Sequence, residues 1–313
     1  MNIVRATKVW LWISSVMVVV ALISMFSFRY TLGIDFSGGT ALELQTGSME
    51  SFAKGFPSAG VTINQYLADS YREVTGQEAI IQSAGSEERL ILRSKSITND
   101  QKNAWLAKLK TVMPNVAEMQ FASVSPTVGA DVVRKAILAV IAAMLAILIY
   151  LAYAFRKVPK PTNSWRFGVT AVVALLAHDV IILLGVYAAL SHFFGAELDS
   201  MFITALLTLL GFSVHDTIVT YDRLRENLIR HGANNFEQTV NDSIVETITR
   251  SINTTFTLVL VLLAMTLMGG RTTFFFTLSL LIGVVLGTYS SIFVASPLLL
   301  MWQKWADRQE ASK

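Results

Sequence analysis

Ionisable residues lie inside segments of this chain that are otherwise apolar enough to enter a lipid bilayer. The pairs His178-Asp179 and His215-Asp216 each interrupt an apolar run, and Arg250 stands at the start of another. Ionisable groups within hydrocarbon are costly and usually mark ion or proton pathways. A carboxylate takes up and releases a proton when its separation from a neighbouring cation changes, because the cation favours its ionised form. The pattern therefore predicts that Asp216 is the working group of a proton or cation relay, with Arg250 as its cationic partner.

The polar residues around Asp216 have both functional and structural interpretations. Thr217 and Asn253 are placed to orient the relay groups or to hold water between them. His215 is either a member of the relay or a polar packing residue. Asp216 and Arg250 themselves form either a working relay or a static ion pair that holds two helices together.

His178 and Asp179 also have two interpretations. They are either a second, supporting relay pair or a polar clamp between membrane helices. Histidine-aspartate dipeptides occur in metal phosphohydrolases, but those enzymes need further soluble ligands that this chain lacks. The sequence therefore predicts no metal site and no catalytic residue.

The composition is that of a polytopic membrane protein. The chain has 313 residues, of which 53% are hydrophobic and 15% charged, and its mean hydropathy is +0.53. It has no cysteine, which excludes disulfides, thiolate metal sites and cysteine nucleophiles. The net charge is +3, but the basic residues lie beside the apolar runs, so they indicate membrane topology and not a nucleic-acid surface.

Six runs are long enough to cross a bilayer, which takes about 20 residues. The first is interpreted as an uncleaved span, because no small-residue cleavage site follows it. The sixth contains Pro297, which predicts a kink near its end. The predicted spans are residues 9–28, 133–155, 167–194, 201–221, 252–268 and 273–302.

The basic residues predict that both termini are cytoplasmic and that residues 30–131 form a domain on the outside. Residues 1–29 then hold the cytoplasmic N-terminus and first span, and residues 303–313 form a cytoplasmic tail. The other five spans lie within residues 132–302, with a cytoplasmic loop at 222–250. In that loop, apolar residues at every fourth position predict a helix that either lies on the inner membrane face or packs on a neighbouring segment.

The outer domain has the pattern of a small α+β fold. Strands are predicted at 40–45, 78–83, 89–93 and 116–124, with a turn at Gly85-Ser86. Residues 97–113 read as an amphipathic helix capped by Thr98, and residues 49–71 as a helix plus a loop. One sheet with helices on one face accommodates these elements.

Five stretches together resemble the SecF family, the smaller membrane subunits of the bacterial Sec protein-export accessory complex. They are LGIDFSGGT after the first span, VSPTVGADVVRKA before the second, LLAHDVIIL in the third, GFSVHDTIVTYDRLREN in the fourth and TRSINTT at the start of the fifth. The resemblance covers nearly the whole chain. It implies an inner-membrane protein with six transmembrane helices, half of a bundle of the resistance-nodulation-division type, and a ferredoxin-like periplasmic domain.

The resemblance also implies a function and partners. The family pairs with SecD beside the SecYEG channel and uses the proton-motive force, or a sodium gradient, to assist late steps of polypeptide export. The family's ion-pathway aspartate and arginine map onto Asp216 and Arg250, and a SecD aspartate completes the relay. The only species implied to bind is the transported H⁺ or Na⁺, and no covalent chemistry is expected. One departure is that His215 stands where many relatives have asparagine.

Two other classes of protein remain open at this point. A small-ion or metal transporter would use His178, Asp179, His215 and Asp216 as ligands near the middle of the membrane. A passive scaffold would need the spans but not the acidity of Asp216. A domain of roughly 100 residues outside the membrane speaks against a simple ion carrier.

Overall fold

The structure is a computed structural model that describes residues 3–46, 63–83, 89–159, 162–232 and 235–311. The predicted Gly85-Ser86 turn and most of the predicted helix and loop at 49–71 lie outside these residues. The chain divides into two compact units, which are treated separately below. One unit comprises Met1–Thr31 with Ala136–Lys313, and the other is Leu32–Lys135.

Six helices in the described part of the chain are long and apolar enough to cross a membrane, which confirms the predicted fold class. In order along the chain, and named here the first to the sixth span, they are Val4–Ser27, Pro126–Ala154, Ser164–Phe194, Ser200–His231, Phe236–Met268 and Thr272–Gln309. Several extend beyond the apolar runs that identified them, because a helix continues past the hydrocarbon wherever its polar end still finds packing partners.

Two spans contain a turn of π-helix, at Leu175–Val180 in the third and at Ser291–Ala295 in the sixth. The second lies just before Pro297, the position at which the sequence predicted a kink. Proline has no N–H to donate, and its ring crowds the carbonyl four residues earlier. The wider turn at Ser291–Ala295 removes that conflict. Such turns are frequent at functional sites.

The core of the membrane unit lies between the third, fourth and sixth spans. Its buried members include Leu175, Leu183, Leu206, Tyr221 and Leu299. The first, second and fifth spans instead expose many large apolar side chains, as helices in contact with lipid do.

The first span packs closely on the third at a glycine. A Cβ atom placed on Gly185 would lie 2.5 Å from both Cα and Cβ of Ala21. Small residues at such crossings let two membrane helices approach each other closely. The same contact places the Gly185 carbonyl 2.7 Å from the hydroxyl of Ser24, which donates to it.

We expect Gly185→Val to destabilise the membrane unit, because overpacking typically costs about 1–3 kcal/mol and here backbone atoms of Ala21 would have to move. The melting temperature of the detergent-solubilised chain measures the effect. Gly211→Val is the control, since nothing lies within 4 Å of a Cβ at Gly211 in the fourth span. Equal melting temperatures for the two variants would contradict the close-packing argument.

The fifth span is one continuous helix from Phe236 to Met268. Val240 and Ile244 are buried in the core of the membrane unit, so the apolar stripe of the predicted loop helix packs on neighbouring helices. Of the two interpretations of this stripe, packing on a neighbouring segment is the one that the structure has. The polar side of the fifth span binds the N-terminal residues. Asn241 Oδ1 accepts hydrogen bonds from the backbone N–H groups of Ile3 and Val4, at 2.8 and 3.3 Å.

The second unit contains a four-stranded antiparallel sheet. The chain has two very short strands, β1 (Thr31–Leu32) and β6 (Glu197–Leu198), and four longer ones, β2 (Gly39–Gln45), β3 (Ala79–Ser83), β4 (Arg89–Ser94) and β5 (Ala117–Val124). The four longer strands form the sheet in the order β3-β4-β2-β5. A helix at Ile63–Thr75 precedes β3, and another at Asn99–Val112 precedes β5. The order of these elements and of the strands is that of the ferredoxin-like fold.

The predicted cap of this unit is present, and the apolar face of the helix that it begins forms part of the core. Thr98 caps the helix Asn99–Val112 in a capping box with Gln101. Trp105, on the inner face of that helix, is 1% exposed and packs edge-on against Tyr71 of the other helix, and its indole N–H donates to Ser70. Leu42 and Leu92 complete this core from the sheet.

Two glycines of the GIDFSGGT stretch have backbone conformations that other residues rarely adopt. Gly38 has φ of +69° and Gly39 has φ of +133°. A Cβ on Gly39 would also lie 2.8 Å from the Ser94 carbonyl oxygen on β4. The stretch therefore needs glycine for structural reasons at the entrance to β2.

Replacing Gly39 by alanine is expected to destabilise this unit by about 1–3 kcal/mol for the strained backbone alone, and by more for the contact with Ser94. Gly76→Ala is the control, because Gly76 also has a positive φ, of +69°, but nothing lies within 4 Å of its Cβ position. Protection of the unit from limited proteolysis in the full chain measures the difference. Equal protection in the two variants would show that the Ser94 contact adds nothing.

Candidate functional site

Asp216 lies in the fourth span with its side chain inside the helix bundle. The residue is 2% exposed, and its Oδ2 accepts a hydrogen bond from the Thr288 hydroxyl at 3.0 Å. The Thr288 hydroxyl is in turn 2.5 Å from the hydroxyl of Thr255. Hydrogen bonds thus connect the fourth, sixth and fifth spans at this carboxylate.

Asp179, at the π-turn of the third span, has hydrogen-bond partners at both of its carboxylate oxygens. It is fully buried, and its Oδ1 lies 2.8 Å from His178 Nδ1. Its Oδ2 accepts from the hydroxyls of Ser213 and Ser290, at 2.6 and 2.8 Å. This carboxylate therefore holds the third, fourth and sixth spans together.

Four consecutive residues of the sixth span, Thr288–Ser291, reach both buried carboxylates, and we call them the hydroxyl segment. Thr288 donates to Asp216 and Ser290 donates to Asp179. The ring of Tyr289 stacks on His178, with centroids 5.4 Å apart. The fourth member, Ser291, lies 2.8 Å from the Thr217 hydroxyl and donates to the Ser213 carbonyl. This segment was not among the predicted site residues, although four hydroxyl-bearing residues in succession within an apolar run are a visible signal.

The remaining predicted site residues divide into one buried residue and three exposed ones. Thr217 is buried and bonded to Ser291, as described above. His215, Arg250 and Asn253 are exposed on the outside of the bundle. Among the described residues, no ion pair joins Arg250 to Asp216.

The site contains few groups that could hold a metal. Within the described ranges, no group of three or more His, Cys, Asp or Glu side chains is placed to bind a metal ion. His178 and Asp179 point into the bundle while His215 is exposed, so the four ligands of the alternative metal transporter are not assembled. The geometry instead provides two buried carboxylates bonded to hydroxyl groups, which both donate and accept hydrogen bonds.

The fold and the site together define a class of protein. It is a six-span membrane protein with a ferredoxin-like domain and with ionisable groups buried in its helix bundle. In membrane proteins, ionisable groups inside the helix bundle usually mark ion or proton pathways. A family model described as "Protein export membrane protein SecD/SecF, C-terminal" matches residues 104–305. The chain belongs to this family.

Similar proteins cover almost the whole chain. A protein translocase subunit SecF from Thermobaculum terrenum is 40% identical over 96% of this chain and 94% of its own length. The SecF subunit from Anaerolinea thermophila is 37% identical over 97% of this chain and 94% of its own length. Among the members of the family, the chain therefore corresponds in length to the SecF subunits.

The chain also matches part of a longer protein in which SecD and SecF are joined. The SecDF subunit from Thermus thermophilus is 34% identical over 92% of this chain but only 37% of its own length. A crystal structure of SecDF from the same genus, described as a translocon-associated membrane protein, aligns with a TM-score of 0.75 and 28% identity. That alignment covers 97% of this chain and 39% of the SecDF chain.

Proposed function

We propose that this chain is a SecF-type accessory subunit of the Sec export machinery, and that it couples the proton-motive force or a sodium gradient to late steps of polypeptide translocation. The observation that carries the proposal is the carboxylate of Asp216, buried among apolar helices and bonded to Thr288. Such a group changes its charge only when a proton or cation reaches it, and that change alters how the helices around it pack.

The partner in this proposal is SecD. Arg250, His215 and Asn253 lie on the outside of the bundle, where contact of a charged side chain with lipid is costly. A membrane helix of SecD that covers this face would shield Arg250 and supply the second carboxylate of the relay. The fusion of the two subunits in the Thermus relative supports this pairing.

The topology in this proposal follows from the basic residues. Both termini and the connection between the fourth and fifth spans lie in the cytoplasm, and the ferredoxin-like domain lies in the periplasm of an inner membrane. Protonation and deprotonation of Asp216, beneath the face that SecD covers, switch the helix packing and move the periplasmic domains, which hold the emerging polypeptide beside SecYEG. The only species transported by the chain is H⁺ or Na⁺, and no covalent bond is made or broken.

The test is the export of a pulse-labelled secreted reporter in native host cells from which the chain is depleted. Resupplying the chain is expected to restore the export rate, and co-purification is expected to recover SecD. The restored increment should disappear when the proton gradient is collapsed, or when sodium is replaced by potassium. An abundant chain that restores no export, or an increment that survives the loss of both gradients, would overturn the proposal.

A further inference from the structure

His178 has one polar atom that the fold leaves without a partner. The residue is 2% exposed, and its Nδ1 lies 2.8 Å from Asp179. Its Nε2 is buried and has no hydrogen-bond partner among the described residues. Buried polar atoms are nearly always paired, so an unpaired ring nitrogen beside a buried carboxylate needs an explanation.

The groups around His178 do not supply a partner for Nε2. The Tyr289 ring stacks on the imidazole, but its hydroxyl is occupied at the first span, where it donates to the Trp10 carbonyl and accepts from Ser14, both at 3.2 Å. Ser213 of the fourth span and Ser290 of the sixth donate to Asp179, and not to the imidazole. Asp179 on the same helix and Tyr289 on the sixth span are thus the titratable groups that face His178, and Asp216 lies three residues beyond Ser213.

The chemistry of imidazole gives this unpaired nitrogen a use. When Nδ1 donates its hydrogen to Asp179, Nε2 has a free lone pair and accepts a proton. The resulting imidazolium stands next to the Asp179 carboxylate, which stabilises the positive charge. Uptake and release of this proton break none of the hydrogen bonds that hold the three spans together.

We propose that the His178-Asp179 pair is a second protonation site of the bundle, which takes up its proton at His178 Nε2 and is coupled to Asp216 through the hydroxyl segment. The inference rests on the proposed function, since it adds a second site to the same relay. It adds a relay role for His178 and Asp179 to the polar clamp that Asp179 forms between the three spans. His178 acts here as a proton-binding residue, and Asp179 positions it.

The hydroxyl segment supplies the physical link between the two sites. Thr288 and Ser290 stand on one turn of the sixth span and donate to different carboxylates. A change in charge at Asp216, or at the imidazole bonded to Asp179, therefore changes the strength of a hydrogen bond of that turn. The π-turn Ser291–Ala295 follows directly after this turn, and π-turns inside helices are frequent at functional sites. An open, mostly apolar groove of about 280 Å³ between the fifth and sixth spans has Thr288 and Tyr289 in its lining.

Nuclear magnetic resonance of the purified chain tests the protonation directly. The chain has four histidines, so His192→Gln, His215→Gln and His231→Gln together leave His178 as the only ¹⁵N-histidine signal. Spectra are recorded from about pH 9 to about pH 5, and we expect the Nε2 resonance to change from the unprotonated to the protonated position within this series. An Nε2 signal that stays unprotonated throughout would overturn the proposal.

Reporter export over the same pH range tests the coupling. His178→Gln keeps an amide that donates to Asp179 but cannot titrate, and it is expected to lose the pH-dependent part of the export rate. His192→Gln, on the exposed end of the same span, is expected to keep the wild-type profile. A wild-type profile for His178→Gln at normal abundance would reject the coupling.

The same assay separates this inference from the proposed function. If Asp216→Asn abolishes export while His178→Gln keeps the wild-type profile, the second site is rejected and the proposed function stands. If Asp216→Asn exports at the wild-type rate, the proposed function is rejected, and with it the coupling; the resonance of Nε2 then decides whether His178 binds a proton at all.

Discussion

Asp216→Asn is expected to reduce export to the level of cells without the subunit, while its abundance in the membrane stays normal. Asparagine has nearly the same shape as aspartate, and its carbonyl oxygen still accepts the hydrogen bond that Thr288 donates at 3.0 Å. The packing of the fourth span on the sixth is therefore kept. The amide cannot ionise, so the group no longer binds and releases a proton. Pulse-labelled export of a secreted reporter, with immunoblotting of the membrane fraction, measures both quantities.

The matched control is Asp222→Asn, six residues further along the same helix. Its side chain is 69% exposed and lies 3.8 Å from Arg225, a surface pair of the kind that contributes little. Export should be normal in this variant. Wild-type export with Asp216→Asn would leave the chain a passive scaffold, the alternative that its buried carboxylate argues against.

Asp179→Ala is expected to produce the largest loss of stability of any single substitution at the site. The change removes the partner of His178 Nδ1 and the acceptor of two serine hydroxyls on two other helices. Removing one member of a buried, hydrogen-bonded charged group typically costs about 3–5 kcal/mol, because the remaining polar groups stay buried without partners. The melting temperature of the purified variant in detergent should fall clearly. The abundance of the variant in the membrane should fall as well.

A second variant, Asp179→Asn, separates charge from hydrogen bonding. Asparagine still accepts from Ser213 or Ser290, so it should recover part of the stability lost with alanine. Asp222→Ala on the exposed helix end should leave the melting temperature near that of the wild type. Equal melting temperatures for Asp179→Ala and Asp222→Ala would contradict the role of Asp179 in joining the three spans.

Much of the fold follows from local patterns. The six spans come from apolar runs of sufficient length, and the four longer strands from alternation in a half-buried sheet. The cap at Thr98 could be predicted because a capping box is encoded within four consecutive residues. In each case the information is local in sequence.

The parts that sequence reasoning missed depend on which helix face meets which neighbour. The sequence places Arg250 and Asp216 at comparable depth on adjacent helices, but it does not determine how each helix is rotated about its axis. The structure turns Asp216 inward to Thr288 and leaves Arg250 exposed. The hydroxyl segment was missed because serine and threonine in a membrane helix often bond only to the carbonyl of the preceding turn. Their presence in a sequence therefore does not show that they contact another helix.

The continuity of the fifth span has a mechanical consequence. Its 33 residues form a rod about 50 Å long at the usual helical rise, and Asn241 near its start is tied to the backbone of Ile3 and Val4. A rod held near one end acts as a lever: a tilt of about 5° about Asn241 moves Met268, roughly 40 Å away along the axis, by about 3.5 Å. No proline interrupts the helix between these points. A small displacement near Thr255, beside Asp216, is therefore amplified toward the far side of the membrane without a flexible joint.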